Sequence, residues 1–165
     1  MAMMKNNSKA HGPHLLVISC LDSRSNPYNV LGLKPYECIV IRNVAGRFAT
    51  ATGDIAALDT LFHVSQLVLL QHSNCGASHV TKEQVIDSTQ VKRPEFGVGN
   101  PAEPSALEAR LPMVENNHQA LKEDLRAVKQ CGFLRQDLID SVVGLYLDVD
   151  SGLVTRVYPD SDVDE

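Results

Sequence analysis

The sequence predicts an α/β fold with a mostly parallel central sheet, helices on its faces and an antiparallel strand at its C-terminal edge. Two apolar runs are typical of parallel strands covered on both faces, and they span His14–Ser19 and Leu67–Gln71. A segment of helical periodicity lies between them, as a strand–helix–strand crossover requires. Two alternating segments, 142–147 and 153–158, are joined through Asp150-Ser151-Gly152 and predict a hairpin.

The other elements follow in chain order. We predict a further strand over Cys38–Ile41. A helix is then indicated by apolar residues at helical spacing, namely Ile55, Leu58, Leu61 and Phe62. Residues 92–105 hold three prolines and two glycines and indicate a loop. One or two amphipathic helices are predicted over residues 105–130, burying Leu107, Leu111, Leu121, Leu125 and Val128. We expect a single domain over residues 1–165, with an N-terminal arm at 1–12 and an acidic tail at 160–165.

Charge and composition exclude several classes of function. The formal net charge of −5 argues against non-specific binding to nucleic acid, which needs a basic surface. No apolar run approaches the roughly 20 residues that span a bilayer, and residues 1–12 lack the apolar core of a secretory signal. We therefore expect a cytoplasmic protein with neither a nucleic-acid nor a membrane partner. In a reducing compartment its four cysteines are better suited to metal binding, nucleophilic chemistry or burial than to disulfides.

Metal-binding side chains follow the two strongest strands. Cys20 follows the first, and His72 and Cys75 follow the strand at Leu67–Gln71. Because ligands bind at the carboxyl ends of the strands in open α/β sheets, we expect these three residues to meet. Thiolate and imidazole suit Zn²⁺, and three protein ligands leave one tetrahedral position for water. Zinc lowers the pKa of such a water from about 15.7 to near 7, so the sequence predicts a catalytic zinc site.

Asp22 and Arg24 are expected beside this site, because they follow Cys20 on the same loop. The carboxylate has two possible states. It can bind the metal as a fourth ligand and close the site, or it can pair with Arg24 and orient a zinc-bound hydroxide. A permanently closed, purely structural zinc is an open alternative, as is a proton-shuttle role for His79.

These motifs resemble those of the β-class carbonic anhydrases. The segment CLDSR, beginning at Cys20, is similar to the family's C-x-D-S-R, and HSNCGA, beginning at His72, is similar to its H-[ST]-x-C-G segment. NVLGLK at 29–34 and VIRN at 40–43 also match, and the C-terminal hairpin resembles the small archaeal and mycobacterial branch. The resemblance covers residues 14–80 closely and 115–159 more loosely.

The resemblance implies Cys20, His72 and Cys75 as zinc ligands and Asp22 with Arg24 as a catalytic dyad. It also implies an obligate homodimer, often assembled further, with its active sites at the subunit interface. Three positions depart from the family pattern. Gln71 replaces a common glycine and is expected near the ligands, whereas Arg47 and Phe48 stand where substrate-pocket or interface residues are expected.

Three functions remain after these steps. The first is the reversible hydration of carbon dioxide by a zinc-bound hydroxide that the Asp22–Arg24 dyad orients. The second is hydrolysis of carbonyl sulfide at the same zinc site, since the resembling branch also contains hydrolases of carbonyl sulfide and carbon disulfide. The third is a zinc-stabilised binding protein without turnover. Both substrates are small, linear and uncharged, and their discrimination is worth only about 1–3 kcal/mol, so the motifs do not separate the two enzymes.

Overall fold

A computed structural model describes residues 13–100 and 102–160 of the chain. The predicted arm at 1–12 and residues 161–165 of the predicted acidic tail lie outside these described residues. The structure contains a five-stranded sheet of order β2-β1-β3-β4-β5. Its strands are β1 (Leu15–Cys20), β2 (Cys38–Asn43), β3 (Gln66–His72), β4 (Val143–Leu147) and β5 (Val154–Val157). Only the β4–β5 pair is antiparallel, which confirms the predicted fold class.

Six α-helices lie among the described residues. They are α1 (Pro27–Val30), α2 (Thr52–Phe62), α3 (Lys82–Lys92), α4 (Ala102–Glu108), α5 (Asn117–Lys129) and α6 (Gln136–Asp140). Within the part of the chain that the structure covers, none of the helices has the length and apolar character needed to cross a membrane.

The sheet is buried on both faces, as the apolar runs predict. Leu16 and Ile18 of β1 pack on one face in a cluster that includes Leu121 and Leu125 of α5. Val17 points to the opposite face and packs in a second cluster with residues of β3 and β4. Since side chains of a strand alternate between faces, a strand with apolar residues at every position must be covered twice. This double cover leaves the carboxyl ends of the strands as the accessible edge.

Two helices differ from the sequence prediction. Helix α3 was not predicted, because it buries no residue and has no apolar stripe. Its start is a capping box, in which Gln84 N donates to Thr81 Oγ1 at 3.2 Å and Thr81 N donates to Gln84 Oε1 at 2.9 Å. The predicted loop at 92–105 is wrong at both ends, because α3 still includes Lys92 and α4 already begins at Ala102.

The predicted buried face of the later helices is right only for α5. Leu121, Leu125 and Val128 are buried there, whereas Leu107 and Leu111 are half-buried in and after the short helix α4. In α2, Ile55 is fully buried but Leu61 is 57% exposed. Helical spacing alone does not tell how far the neighbouring element extends over each turn of a helix.

Candidate metal centre

Neighbouring parallel strands place the three predicted ligands together. Cys20 is the last residue of β1 and His72 is the last residue of β3, and these two strands pair in parallel register. Cys75 lies in the turn after β3, where Asn74 adopts a left-handed conformation with φ of 50°. That turn reverses the chain within three residues and brings the Cys75 thiol back towards the strand end. The parallel pairing of β1 and β3 and the turn after β3 therefore place Cys20, His72 and Cys75 close together.

The donor atoms have the spacing that a tetrahedral zinc site requires. One ligand atom from each of Cys20, His72 and Cys75 lies within 4.8 Å of the others, and all three residues are buried. The two sulfur atoms are 3.7 Å apart. Two thiolates bound to one zinc ion at about 2.3 Å and a tetrahedral angle are separated by about 3.8 Å. The separation of the two sulfur atoms matches that of a zinc site, and the chemistry of the three donor groups fits a zinc ion.

The His72 imidazole is oriented for metal binding. Its Nδ1 lies 2.8 Å from the carbonyl oxygen of Ser73, to which the N–H tautomer donates. Its Nε2 is buried and has no hydrogen-bond partner among the described residues. In metal-binding histidines, a hydrogen bond from the ring nitrogen that does not bind the metal commonly fixes the tautomer. A buried ring nitrogen without a partner costs free energy, and a metal ion bound to Nε2 would remove that cost.

The two thiols differ in their acidity. The hydrogen bond that they share raises the pKa of Cys20, which burial raises further. The same hydrogen bond lowers the pKa of the Cys75 thiol, against the effect of burial. The thiolate is the form that binds metal, so the surroundings of Cys75 favour the state that a ligand needs.

Asp22 is paired with Arg24 beside the three ligands. Its Oδ1 accepts from the Arg24 backbone N at 2.9 Å and from Nε at 3.0 Å, and its Oδ2 accepts from Nη2 at 2.6 Å. Arg24 Nη2 also donates to the carbonyl oxygen of Asn74 at 3.1 Å, which ties the β1 loop to the β3 turn. Hydrogen bonding to Arg24 holds the pKa of the Asp22 carboxyl well below its usual range. The carboxylate is therefore ionised at neutral pH.

Arg42 of β2 fixes the loop that carries Cys20 and Asp22. Its Nε donates to the Cys20 carbonyl oxygen at 2.9 Å, and its Nη2 donates to the Asp22 carbonyl oxygen at 2.7 Å. The buried Ser25 hydroxyl donates to the Asp22 carbonyl oxygen at 2.9 Å. The sequence shows the VIRN segment but does not predict this role for Arg42. Every residue has a backbone carbonyl, so the residue types around Cys20 do not reveal which side chain will donate to it.

Glycine at position 46 permits the close packing of the turn after β2 against the end of β1. A Cβ added there would lie 2.9 Å from the backbone N of Cys20 and 3.0 Å from the backbone carbon of Ser19. The residue also has φ of +65°, a conformation that favours glycine. A side chain at Gly46 would displace the ligand-bearing end of β1.

Gln71 and Arg47 belong to a buried network around Asp124. Gln71 Nε2 donates to Asp124 Oδ2 at 2.9 Å, so its amide turns away from the ligands rather than towards them. Arg47 forms a bidentate pair with the same carboxylate, through Nε at 2.9 Å and Nη2 at 3.0 Å. Phe48 is 3% exposed and packs in the core. None of the three lines the cleft beside the ligands.

His79 and Asn117 complete the surroundings of the ligands. The His79 Nε2 lies 2.9 Å from Asn74 Oδ1, outside the three-residue cluster. Asn117, the first residue of α5, donates from Nδ2 to the His72 carbonyl oxygen at 3.2 Å. Sequence reasoning missed Asn117, since it lies 45 residues from His72 and reaches it only through the packing of α5 on β3.

An apolar cleft of ≈ 530 Å³ opens onto the ligands. Its walls include the following aliphatic side chains: Leu21, Val44, Val80, Val85 and Met113. Leu21 is 58% exposed, Val80 is 41% exposed and Val44 is 37% exposed. The cleft suits an uncharged ligand, and its rim presents apolar surface to solvent in the single chain.

Comparisons with known proteins agree with this geometry. The sequence model of the family described as carbonic anhydrase matches residues 15–154. The β-carbonic anhydrase 1 of Mycobacterium tuberculosis is 28% identical over 148 residues, which cover 88% of this chain and 83% of that protein. The mitochondrial β-carbonic anhydrase 6 of Arabidopsis thaliana is 39% identical over 74 residues, which cover 41% of this chain and only 26% of the relative.

Solved structures share the fold over nearly the whole chain. A carbonic anhydrase from Glaciozyma antarctica has a TM-score of 0.75 at 17% identity, covering 92% of this chain and 88% of that chain. A carbon disulfide hydrolase in its apo form has a TM-score of 0.74 at 18% identity, covering 93% of this chain and 82% of that chain. The family match extends over most of the described residues and includes every predicted ligand. The chain belongs to the β-carbonic anhydrase family.

Proposed function

We propose that this protein catalyses the reversible hydration of carbon dioxide to bicarbonate and a proton, with zinc held by Cys20, His72 and Cys75. One observation carries the proposal: the donor atoms of these residues lie within 4.8 Å of one another, and Cys20 and Cys75 line an apolar cleft. Zinc, when bound, lowers the pKa of a water molecule to near 7 and supplies the nucleophile. The apolar walls provide the environment that a small uncharged substrate prefers.

In this proposal Asp22 and Arg24 orient the nucleophile. The ionised carboxylate accepts hydrogen bonds but cannot donate one, so it fixes a neighbouring O–H and directs a lone pair towards the substrate carbon. Arg24 holds both carboxylate oxygens and keeps them in place. We include a second state, in which Asp22 leaves Arg24 and closes the metal site as a fourth ligand.

Hydrolysis of carbonyl sulfide, yielding carbon dioxide and hydrogen sulfide, is the second candidate. The cleft favours it as much as hydration, because carbonyl sulfide is also linear, uncharged and apolar. A carbon disulfide hydrolase shares the fold, which shows that the fold itself accommodates sulfur-containing substrates. For the cleft, the two substrates differ in one terminal atom, which is oxygen in carbon dioxide and the larger sulfur in carbonyl sulfide.

Both activities should be measured on the same purified protein of known zinc content. Stopped-flow hydration of carbon dioxide is compared with release of hydrogen sulfide from carbonyl sulfide, between about pH 6.5 and 9. We expect rapid hydration that rises with pH. Strong sulfide release with negligible hydration would replace the first candidate by the second, and no turnover of either substrate by zinc-loaded protein would favour a non-catalytic binding protein.

Replacing Asp22 with asparagine should separate catalysis from metal binding. The amide keeps the shape but loses the charge that Arg24 and the nucleophile use, so we expect hydration to fall at least about 100-fold while zinc content stays at the wild-type value. Asp150→Asn is the matched control, because Asp150 affects Arg24 only through its charge and does not contact it. Wild-type turnover in the Asp22→Asn variant would refute the role of the dyad.

We also propose that the protein is a homodimer or a higher homo-oligomer whose second copy covers the cleft. The cleft is far larger than a triatomic substrate, and its rim carries exposed Val80. Burying this apolar surface would both exclude water from the site and stabilise association. We expect light scattering to give a mass of at least two 18.0-kDa chains. Val80→Glu should dissociate the assembly, whereas Val91→Glu, an exposed position outside the cleft, should not.

A further inference from the structure

We propose that Ala45 determines how readily the cleft admits a terminal sulfur atom, because its methyl group limits the space beside the two thiols. The inference rests on the proposed function and deepens it, since it names the residue that separates carbon dioxide from carbonyl sulfide. The apolar walls suit both linear substrates, so the width of the cleft is what remains to discriminate between them.

Ala45 lies directly behind the wall of the cleft. It is the middle residue of the short turn Val44–Gly46 that follows β2. The residue is fully buried, yet it is among those that surround the cleft, and it packs in one cluster with Cys20, Cys75 and Ala77. Its methyl group is therefore placed where the thiols and the cleft meet.

The backbone of Ala45 has a conformation that favours glycine. Its φ is 62°, and the next residue, Gly46, has φ of 65°. In this left-handed region a Cβ atom comes too close to the following carbonyl oxygen, which raises the free energy of most residues other than glycine. A glycine would form the same turn without this cost, so the turn itself does not require a methyl group at position 45.

Hydrogen bonds between the two residues that flank the turn hold it in this conformation. Asn43 Oδ1 accepts from the backbone N of Arg47 at 2.7 Å, and Asn43 Nδ2 donates to the Arg47 carbonyl oxygen at 2.9 Å. Gly46 is packed against the end of β1, where an added Cβ would lie 2.9 Å from the Cys20 backbone N. Strained residues persist where the surrounding structure fixes them, and they cluster at functional sites. A rigid turn thus holds the methyl group beside the thiols.

A methyl group at this point affects the two substrates unequally. Sulfur is larger than oxygen, so carbonyl sulfide needs more space beside the ligands than carbon dioxide does. In an apolar pocket, one methylene-sized group changes the discrimination between substrates by about 10–200-fold. Ala45 should therefore favour carbon dioxide, and its replacement by glycine should let the sulfur atom enter more readily.

Ala45→Gly is the direct test, measured as the ratio of kcat/KM for carbonyl sulfide to kcat/KM for carbon dioxide. We expect this ratio to rise about tenfold with unchanged zinc content. The melting temperature should stay within about 3 °C of the wild-type value, because relief of the backbone strain offsets the loss of a buried methyl group.

Ala51→Gly is the matched control. Ala51 is also fully buried, but its φ is −106° and it lies outside the cleft. The substitution relieves no strain there, so it should lower the melting temperature and leave the ratio of the two kcat/KM values unchanged.

A binding measurement gives a second readout that does not depend on turnover. Cyanate and thiocyanate are linear anions with the same numbers of valence electrons as carbon dioxide and carbonyl sulfide, respectively, and one has a terminal oxygen where the other has a sulfur. Their dissociation constants are measured by calorimetry on zinc-loaded protein. We expect Ala45→Gly to shift the preference about tenfold towards thiocyanate, and Ala51→Gly to keep the wild-type preference.

The outcomes separate this inference from the proposed function. If zinc-loaded wild-type protein turns over neither substrate, the proposed function is refuted, and the role of Ala45 with it. If the wild type is active but Ala45→Gly changes neither the kcat/KM ratio nor the preference between the anions, the proposed function stands and the role of Ala45 is overturned. An equal rise of the ratio in Ala51→Gly would also overturn it, because the effect would then belong to a loosened core.

Discussion

Replacing Cys75 with serine is expected to remove both zinc and turnover. A hydroxyl is a much poorer zinc ligand than a thiolate, and Cys75 is the ligand whose surroundings lower its thiol pKa. The variant keeps a polar side chain of nearly the same size in a turn, so the fold should survive. We expect less than about a tenth of the wild-type zinc content, because two strong ligands hold zinc much more weakly than three.

Two measurements decide the outcome for Cys75→Ser. Zinc per chain is determined by atomic absorption, and the melting temperature is recorded with and without a chelator. A ligand that binds only the folded state raises stability, so chelation should lower the melting temperature of the wild type and leave that of the variant unchanged. Cys131→Ser, at a half-buried thiol outside the cluster, is the control and should behave as the wild type. Full activity in Cys75→Ser would refute the assignment of the site.

Arg47→Met is expected to cause the largest loss of stability outside the metal centre. Asp124 is 1% exposed, and its carboxylate receives two hydrogen bonds from the Arg47 guanidinium. Removing the guanidinium leaves a buried negative charge with only the Gln71 amide and the Phe48 backbone N as donors. Breaking one side of a buried ion pair costs about 3–5 kcal/mol, a large fraction of the 5–15 kcal/mol that stabilise a typical domain.

The loss in Arg47→Met should depend on pH in a defined direction. Burial raises the pKa of the Asp124 carboxyl even with Arg47 in place, and loss of the guanidinium, which lowers that pKa, should raise it further. The folded variant then binds a proton that the unfolded chain, with a carboxyl pKa of about 3.9, has already released. The Asp124 contribution to stability is therefore fully present below the unfolded-state pKa and is lost as pH rises through the folded-state pKa, so the loss relative to the wild type should grow with pH. Urea unfolding at about pH 5 and about pH 7.5 measures this difference.

Two further variants identify the cause of that loss. Arg93→Met removes an arginine from an exposed pair with Glu95, and its stability should stay close to that of the wild type. The double variant Arg47→Met/Asp124→Leu removes both charges and should recover much of the loss. A double variant as unstable as Arg47→Met would show that the guanidinium contributes through its packing rather than by pairing with Asp124.

The sequence predicted the sheet and the meeting of Cys20, His72 and Cys75 for one physical reason. Buried parallel strands are continuous apolar runs, and polar residues directly after such runs must lie at the same edge of the sheet. Each of these strands ends one residue later than predicted, so Cys20 and His72 are the last residues of β1 and β3. The predicted membership of the β-class carbonic anhydrase family is confirmed.

The residues that the sequence did not identify act through distant contacts. Arg42 and Asn117 both donate to backbone carbonyl oxygens of the ligand loops, and any residue type offers such a carbonyl. Helix α3 has no apolar stripe, and only the Thr81–Gln84 capping box indicates its start. Gln71 was expected near the ligands, but alternation along β3 turns it to the opposite side from His72 and towards Asp124.

The parallel pairing of β1 and β3 also has a kinetic consequence. Cys20 and Cys75 are separated by 55 positions in the chain, so no short segment contains the complete ligand set. A loop of this length must close before the sulfur atoms meet, and its closure entropy is not recovered until the strands pair. We therefore expect capture of the proposed zinc ion to be a late event in folding, and the rate of metal uptake to report the pairing of the central strands.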